Sequence, residues 1–356
     1  MEKHELEKAI EKTVLKMALE PNNTEHYHEL AKYYAMDKQF EKVISVYESL
    51  LSIDPKDMQT LLNLGSIWFY TKEYKKALKY FHEAMVVNPS NYLVYYNMGN
   101  TYAEMKNFDK ALHFYSRTLD FNSRDAEIYN AIALLYHDFE DYVEARAYYE
   151  KALSIEPNNL TALIDMGNVC YKLYDYKQAL VYYDKVFQIA PDNKTVALCI
   201  ANTYTVLGDK EKSFEYFDKA LEMPGDNYKA NICYAISKSD FKEYNDATEL
   251  YKKAIEINPK EANAYILLGN LYSNIKCYKE AEAQYREALK INKLDPSIYV
   301  LIANVMFMNN SIFDSLRAYR TAVNLRPEND EYKLVFIQVL EDYIEDTRKA
   351  DIIANF

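Results

Sequence analysis

The chain contains few of the residues that form flexible or catalytic loops. It has 6 glycines and 9 prolines in 356 residues, too few for long flexible linkers or a disordered segment. The sequence contains no glycine-rich phosphate loop, no nucleophile motif, and no set of ligands at metal-binding spacing. We therefore expect a chain without catalytic activity, without a metal site and without a cofactor.

Cysteine and positive charge are also scarce. The four cysteines have no CxxC spacing, which is typical of free thiols in a reducing compartment. A net charge of −12 disfavours binding to nucleic acid or to an anionic membrane surface. The sequence has no apolar run of membrane-spanning length, and no apolar run follows a basic start at the N-terminus. These features predict a cytoplasmic protein.

A fixed period of 34 residues runs through the sequence. Prolines recur at multiples of this period without an insertion or deletion, at Pro21, Pro55, Pro89, Pro157, Pro191, Pro259 and Pro327. We number the 34 positions so that this proline occupies position 32 and the first full copy starts at Thr24. Such a period is the signature of a repeat array.

Small and aromatic residues recur at three further positions. Position 8 is always glycine or alanine, as in Gly65, Gly99 and Ala133, and position 20 is alanine, serine or valine. Position 24 is always tyrosine or phenylalanine, as in Tyr115 and Phe217. We interpret this pattern as two antiparallel helices per repeat, whose backbones approach at the small residues while the aromatic ring fills the space beside them. The proline at position 32 ends the second helix, because it lacks an N–H donor.

These positions resemble the tetratricopeptide repeat over roughly residues 3 to 344. The resemblance implies an all-α fold, a right-handed α-α superhelix of helix-turn-helix repeats with the first helices lining a concave groove. We expect a single solenoid over 1–356. It would comprise an N-terminal capping helix in 1–23, nine repeats in 24–329 and a C-terminal capping segment in 330–356.

The sequence departs from the pattern in the seventh copy and at the C-terminus. In the seventh copy, Asn231 and Lys238 occupy positions that are mostly apolar elsewhere. This copy is either a hinge near 224–240 or a tolerated divergence. At the C-terminus, a broad apolar helix from Asp330 to Ile344 is followed by a polar stretch. The last five residues form either a partial second helix that folds back or a point of self-association.

The face of the first helices opposite their packing side is rich in asparagine. This groove face comprises positions 2, 5, 6, 9, 12 and 13, and position 9 is asparagine in five of the nine copies. We define the amide row as the eight asparagines at positions 5, 6 and 9 of this face: Asn63, Asn97, Asn100, Asn130, Asn168, Asn202, Asn270 and Asn304. Asparagine is a mediocre helix residue, so its recurrence in mid-helix needs a reason. A side-chain amide both donates and accepts, which suits the backbone of an extended peptide.

The amide row resembles the asparagine-lined groove of the repeat domain of O-linked N-acetylglucosamine transferases. No catalytic domain of that kind is present, so transferase activity is not implied. The repeat consensus itself favours asparagine at positions 6 and 9. Inheritance from the consensus, with water as the only partner, would therefore produce the same row.

We accordingly predict a non-catalytic scaffold or adaptor that binds extended peptide segments. Tyr96 and Tyr171 add aromatic surface to its groove face, and scattered carboxylates favour a partner with some basic character. The carboxylates are equally consistent with a solvated face. Two alternatives remain open: a structural subunit of a homo-oligomer that associates through its C-terminal helix, and a targeting module for a separately encoded enzyme.

Overall fold

Each 34-residue copy folds into two helices joined by a tight turn. The computed structural model describes residues 3–354, with side chains described for residues 3–345. This part of the chain contains twenty α-helices and no strand, so the predicted all-α repeat fold is confirmed. The helices are α1 (Lys3–Leu19), α2 (Thr24–Met36), α3 (Phe40–Ile53), α4 (Met58–Tyr70), α5 (Tyr74–Val87), α6 (Tyr92–Glu104), α7 (Phe108–Phe121), α8 (Ala126–Asp138), α9 (Tyr142–Ile155), α10 (Leu160–Lys172), α11 (Tyr176–Ile189), α12 (Lys194–Leu207), α13 (Lys210–Glu222), α14 (Tyr228–Asp240), α15 (Tyr244–Ile257), α16 (Ala262–Asn274), α17 (Tyr278–Ile291), α18 (Pro296–Met308), α19 (Ile312–Leu325) and α20 (Asp330–Ala354).

The chain divides into two compact units, Met1–Tyr182 and Tyr183–Phe356. In the first unit α2, α4, α6 and α8 each pack against the helix that follows, and α4, α6, α8 and α10 also contact one another in sequence. In the second unit α12, α14, α16 and α18 pair with the following helices in the same way. The expectation of a single solenoid over 1–356 stays a prediction.

In seven of the nine full copies, the first helix begins after a side chain that accepts a hydrogen bond from a free backbone N–H group. Across the nine copies, the residue before the first helix is asparagine, aspartate or, once, glutamate. Asp57 accepts a hydrogen bond from the Thr60 amide at 2.7 Å, and Asn193 accepts one from the Val196 amide at 3.1 Å. Such N-caps stabilise a helix by about 1 kcal/mol. Helices α14 and α16 start at the same position of their copies although Asn227 and Glu261 make no such bond.

The turn between the two helices of a pair requires a left-handed residue. At position 15, eight non-glycine residues have φ between 56° and 66°, and Gly208 has φ 77° in the remaining copy. A left-handed conformation costs an L-residue about 1 kcal/mol relative to glycine. Repeat packing therefore maintains a mildly strained turn in most copies.

The small residue at position 8 makes room for the aromatic ring at position 24. A Cβ atom on Gly99 would lie 2.5 Å from the ring of Tyr115, and one on Gly269 would lie 2.4 Å from the ring of Tyr285. Both rings are at least 97% buried. The close approach expected from the sequence is thus present, and it places the tyrosine hydroxyl next to the following position of the first helix.

The N-terminal helix α1 packs on α2, as a cap on the first full repeat. The sequence of this helix predicts an apolar stripe of Leu6, Ala9, Ile10, Val14 and Met17, and the buried face differs from it at one residue. Val14 is 44% exposed, whereas Thr13 is 98% buried. Thr13 stands 34 residues before Tyr47, so it occupies the aromatic position of the repeat register. Register, rather than hydrophobicity, decides which of the two neighbours is buried.

The polar residues of the seventh copy have partners inside the fold. The Lys238 ammonium lies 2.6 Å from the Glu243 carboxylate, and its side chain is only 13% exposed. Asn231 is 96% buried, and its amide donates to the backbone oxygen of Asn227 at 2.9 Å. The divergence thus exchanges apolar contacts for paired polar ones. A hinge near 224–240 stays a prediction.

The C-terminal helix departs from the expected fold-back. Helix α20 runs from Asp330 to Ala354 without a break. The predicted turn back into a partial second helix is therefore wrong as far as Ala354, and the last two residues lie outside the described part of the chain. Val339 packs against Tyr319, whereas Leu334 and Ile337 are 66% and 47% exposed.

Candidate functional site

All ten residues predicted to bind peptide lie on first helices. Nine of them are half-buried and Asn304 is exposed. Seven belong to the first unit: Asn63, Tyr96, Asn97, Asn100, Asn130, Asn168 and Tyr171. Asn202, Asn270 and Asn304 belong to the second unit. Each unit therefore carries its own part of the amide row.

Position 9 amides are hydrogen-bonded to the buried tyrosine of the same repeat. The Tyr115 hydroxyl donates to Oδ1 of Asn100 at 2.7 Å, and the Tyr285 hydroxyl donates to Oδ1 of Asn270 at 2.7 Å. The Tyr319 hydroxyl makes the same bond to Asn304. Each bond joins the two helices of a pair and fixes the orientation of the amide.

This tyrosine–asparagine pair was not predicted from the sequence, although its signal is present. In three copies, an asparagine at position 9 stands 15 residues before a tyrosine that donates to it. Position 9 directly follows the small residue at position 8 and lies within reach of the hydroxyl. The water-only interpretation of the row is therefore wrong for these three amides, because a core side chain occupies their carbonyl oxygen.

Asn63 uses a different geometry. The position 9 residue of the first copy is Lys32, and the hydroxyl of Tyr47 instead accepts a hydrogen bond from Nδ2 of Asn63 at 2.9 Å. Asn63 occupies position 6 of the next copy. In this copy, the neighbouring repeat thus supplies the partner of the buried tyrosine.

The remaining predicted residues have varied surroundings. Asn97 lines a small recess together with Asn100. Burial raises the pKa of the Cys233 thiol, and a hydrogen bond with Asn202 opposes this shift. The ring of Tyr171 meets that of Tyr176 edge-on at 5.1 Å. These residues occupy groove-face positions of their own helices and have different contacts.

A recess on this face lies in the first unit, along α6, α8 and α10. It has a volume of about 420 Å³. We call it the acidic pocket, since it is lined by Phe69, Tyr96, Asn100, Ala103, Glu104, Tyr115, Glu127, Asn130, Ala131, Leu134, Leu135, Asp138, Asn159, Thr161 and Asp165. Three of these residues, Tyr96, Asn100 and Asn130, were predicted from the sequence to bind peptide, but the partly enclosed space was not predicted.

The carboxylates of the pocket have few cationic neighbours. The Lys106 ammonium lies 3.1 Å from Asp138, at the exposed rim. The Tyr96 hydroxyl donates to Glu127 at 3.0 Å. Burial raises the pKa of Asp165 above its ordinary value, and the nearby His137 opposes this shift. No lysine or arginine is among the lining residues, so the pocket wall is strongly negative.

Three buried polar atoms beside the pocket have no hydrogen-bond partner: Oδ1 of Asn130, Nδ1 of His137 and the hydroxyl of Tyr149. Tyr149 is only 1% exposed. Its copy has Leu134 at position 9, so no asparagine of its own repeat accepts from the hydroxyl. A buried hydroxyl without a partner costs about 1–3 kcal/mol.

Residues 3–345 contain no group of three or more histidine, cysteine, aspartate or glutamate side chains placed to hold a metal ion. Over the same part of the chain, none of the helices combines the length and apolar character needed to cross a bilayer.

Sequence comparison identifies the repeat. Models described as tetratricopeptide repeat match residues 58–88, 91–155, 124–192, 200–227 and 250–283, which together make up more than half of the chain. Comparison with curated protein sequences gives no match.

Solved structures of repeat proteins are similar in fold. A tetratricopeptide repeat protein from Parabacteroides merdae ATCC 43184 matches with a TM-score of 0.56 and 16% identity, over 70% of this chain and 98% of that one. Yeast Tom70 matches with a TM-score of 0.56 and 16% identity, over 98% of this chain and 87% of that one. Proteins built from this repeat are protein-interaction scaffolds. By its repeat period, helix pairs and matching family models, this chain belongs to the tetratricopeptide repeat family.

Proposed function

We propose that the chain is a non-catalytic scaffold whose amide row binds the backbone of extended peptide segments. The observation that carries the proposal is the fixed orientation of the position 9 amides. With Oδ1 engaged by a core tyrosine, Asn100 and Asn270 can act as donors through Nδ2, and the Asn100 amide also forms a hydrogen bond with Tyr96. Each offers donors that a peptide carbonyl oxygen can accept.

Orientation by a core tyrosine reduces the entropic cost of binding. A free asparagine side chain must be ordered when it binds, whereas these amides are already held against a buried ring. Each amide contact would contribute about 0.5–1.5 kcal/mol net. Several such contacts in a row support modest affinity with little dependence on peptide sequence. We propose this mode of binding also because the amide row resembles the asparagine-lined groove of O-linked N-acetylglucosamine transferases.

A comparative pull-down with mass spectrometry tests the proposal. The three baits are the wild type, a groove variant and a control variant, all checked for equal helicity by circular dichroism. The groove variant carries Asn97→Ala, Asn100→Ala, Asn168→Ala and Asn202→Ala. The control variant carries the same change at four exposed asparagines away from the groove face, Asn22, Asn158, Asn245 and Asn324.

We expect the wild type and the control variant to capture the same partners and the groove variant to lose them. Equal capture by all three baits would contradict a role for the amide row. The row would then serve the helix pairs alone.

A second function is favoured by the exposed apolar side chains of α20. Leu334 and Ile337 lie one turn apart on this helix and are both exposed, which fits self-association of the chain. This alternative predicts a mass that rises with concentration in light scattering and falls when both residues are changed to lysine. A constant monomeric mass over the same range would exclude it.

A further inference from the structure

The carboxylates of the acidic pocket have few cationic partners. The pocket wall carries four carboxylates, on Glu104, Glu127, Asp138 and Asp165. Hydrogen bonds from tyrosines reach Glu104 and Glu127, but Lys106 at the rim is the one lysine or arginine that pairs with any of the four within residues 3–345. Carboxylates in a partly enclosed space are poorly hydrated, and they favour a cation that replaces the lost water.

A second observation points into the same space. The Tyr149 hydroxyl is buried and unpartnered. Asp165 and Asp138 both add to the rise in the Tyr149 pKa that burial causes, so these two pocket carboxylates lie near the hydroxyl. It is near Asp165 but makes no hydrogen bond of ordinary geometry with it. A ligand that binds the two aspartates would also come within reach of this hydroxyl.

Oδ1 of Asn130 adds a neutral acceptor. It is buried and has no partner, and it belongs to α8, between the carboxylates of α6 and α10. The acceptors are thus spread over three neighbouring helices rather than focused on one point. An ammonium group concentrates three donors at one atom, whereas a guanidinium spreads five donors over a plane.

We propose that the acidic pocket binds the guanidinium group of an arginine carried by the peptide segment that the amide row holds. The inference rests on the proposed function, since Asn100 belongs both to the row and to the pocket wall. Tyr96 lines the pocket as well and supplies an aromatic surface on which a guanidinium can stack. The amide row would bind the backbone, and this pocket would select one side chain.

Fluorescence anisotropy with defined peptides tests the assignment on the full chain. The probes are fluorescein-labelled nonapeptides of alternating alanine and serine whose central residue is arginine, lysine or citrulline. Citrulline matches arginine in shape but carries no charge. We expect the arginine peptide to bind about tenfold more tightly than the citrulline peptide at low salt, with the lysine peptide between them.

Two charge variants locate the effect. The pocket variant combines Glu127→Gln with Asp165→Asn. The control variant combines Glu83→Gln with Asp120→Asn, which removes the same charge from exposed positions on second helices of the same unit. We expect the pocket variant to bind arginine and citrulline peptides equally and the control variant to retain the preference for arginine.

The outcomes separate this inference from the proposed function. If wild type binds all three peptides equally and only the groove variant loses them, the pocket assignment is wrong and the amide row stands. If the arginine preference depends on the pocket carboxylates but not on the amide row, the pocket stands and backbone binding is wrong. Absence of binding to any peptide would overturn both.

Discussion

The same substitution at two neighbouring repeats should have opposite effects on stability. Tyr115 and Tyr149 both occupy position 24, and both are at least 97% buried. The Tyr115 hydroxyl donates to Asn100 at 2.7 Å, whereas the Tyr149 hydroxyl has no partner. Phenylalanine fits this position, since Phe81 and Phe217 occupy it in other copies. Removal of the hydroxyl therefore changes hydrogen bonding with little change in shape.

The magnitudes follow from the cost of hydrogen bonds in a core. Tyr115→Phe removes one bond and leaves Oδ1 of Asn100 without its donor, so the free energy of unfolding should fall by about 1 kcal/mol. Tyr149→Phe removes a buried hydroxyl that has lost its water without gaining a partner. Its free energy of unfolding should rise by roughly 1 kcal/mol, the lower end of the desolvation cost.

Urea unfolding followed by circular dichroism measures both changes. Because a repeat array need not unfold in one step, amide hydrogen exchange of α6 to α9 should be used to assign each effect to its own helix pair. Tyr285→Phe, which removes the same bond to Asn270 in the second unit, serves as an independent copy of the Tyr115 change. If Tyr149→Phe destabilises as much as these two, its hydroxyl has a partner in solution. The unpartnered state used to argue for the acidic pocket would then be refuted.

Three further perturbations test the packing, the turns and one ion pair. Gly99→Ala should lower the free energy of unfolding by about 1–2 kcal/mol, because overpacking against Tyr115 outweighs the gain in helix propensity. An unchanged midpoint of urea unfolding would contradict the close approach of Gly99 to the Tyr115 ring. Lys276→Gly should stabilise the protein by about 1 kcal/mol and Gly208→Ala should destabilise it by a similar amount, because both residues have a left-handed backbone conformation. The midpoints of thermal unfolding of the two variants must shift in opposite directions from that of the wild type. Hydrogen bonds from two lysines, Lys210 and Lys238, lower the pKa of Glu243 below its ordinary value. The stability that Glu243 contributes is therefore present above the ordinary value and lost as the pH falls through the lowered pKa. Glu243→Gln should flatten the acid limb of a plot of stability against pH. An unaltered acid limb would show that the interactions of Glu243 with the two lysines do not contribute.

The periodic parts of the fold could be predicted because the repeat enforces them. Proline at position 32, small residues at positions 8 and 20, and an aromatic at position 24 fix where helices end and where they approach. The same register explains the one error in α1, where Thr13 rather than Val14 is buried. Hydrophobicity alone favours the valine, but position in the repeat determines the burial.

The candidate site could be predicted only in part because its chemistry depends on pairs of positions. The asparagines were found from one helix face, whereas their tyrosine partners lie on the other helix of each pair. The acidic pocket arises where the pattern breaks, with Leu134 at position 9 and Asp165 at position 6 of the next copy. A single-helix pattern does not reveal an enclosed space between three helices. The fold-back predicted for the C-terminus failed because α20 continues as one helix to Ala354.

The measurement that tests the central claim most directly compares a captured peptide segment with its backbone-modified copy. The copy has the same side chains but carries ester linkages in place of several amides, which weakens its carbonyl acceptors. For the wild type, binding of the ester copy should be weaker than that of the parent peptide. For the groove variant, which lacks Asn97, Asn100, Asn168 and Asn202, this difference should vanish. Equal affinity of the wild type for the two peptides would show that the amide row does not hold a peptide backbone.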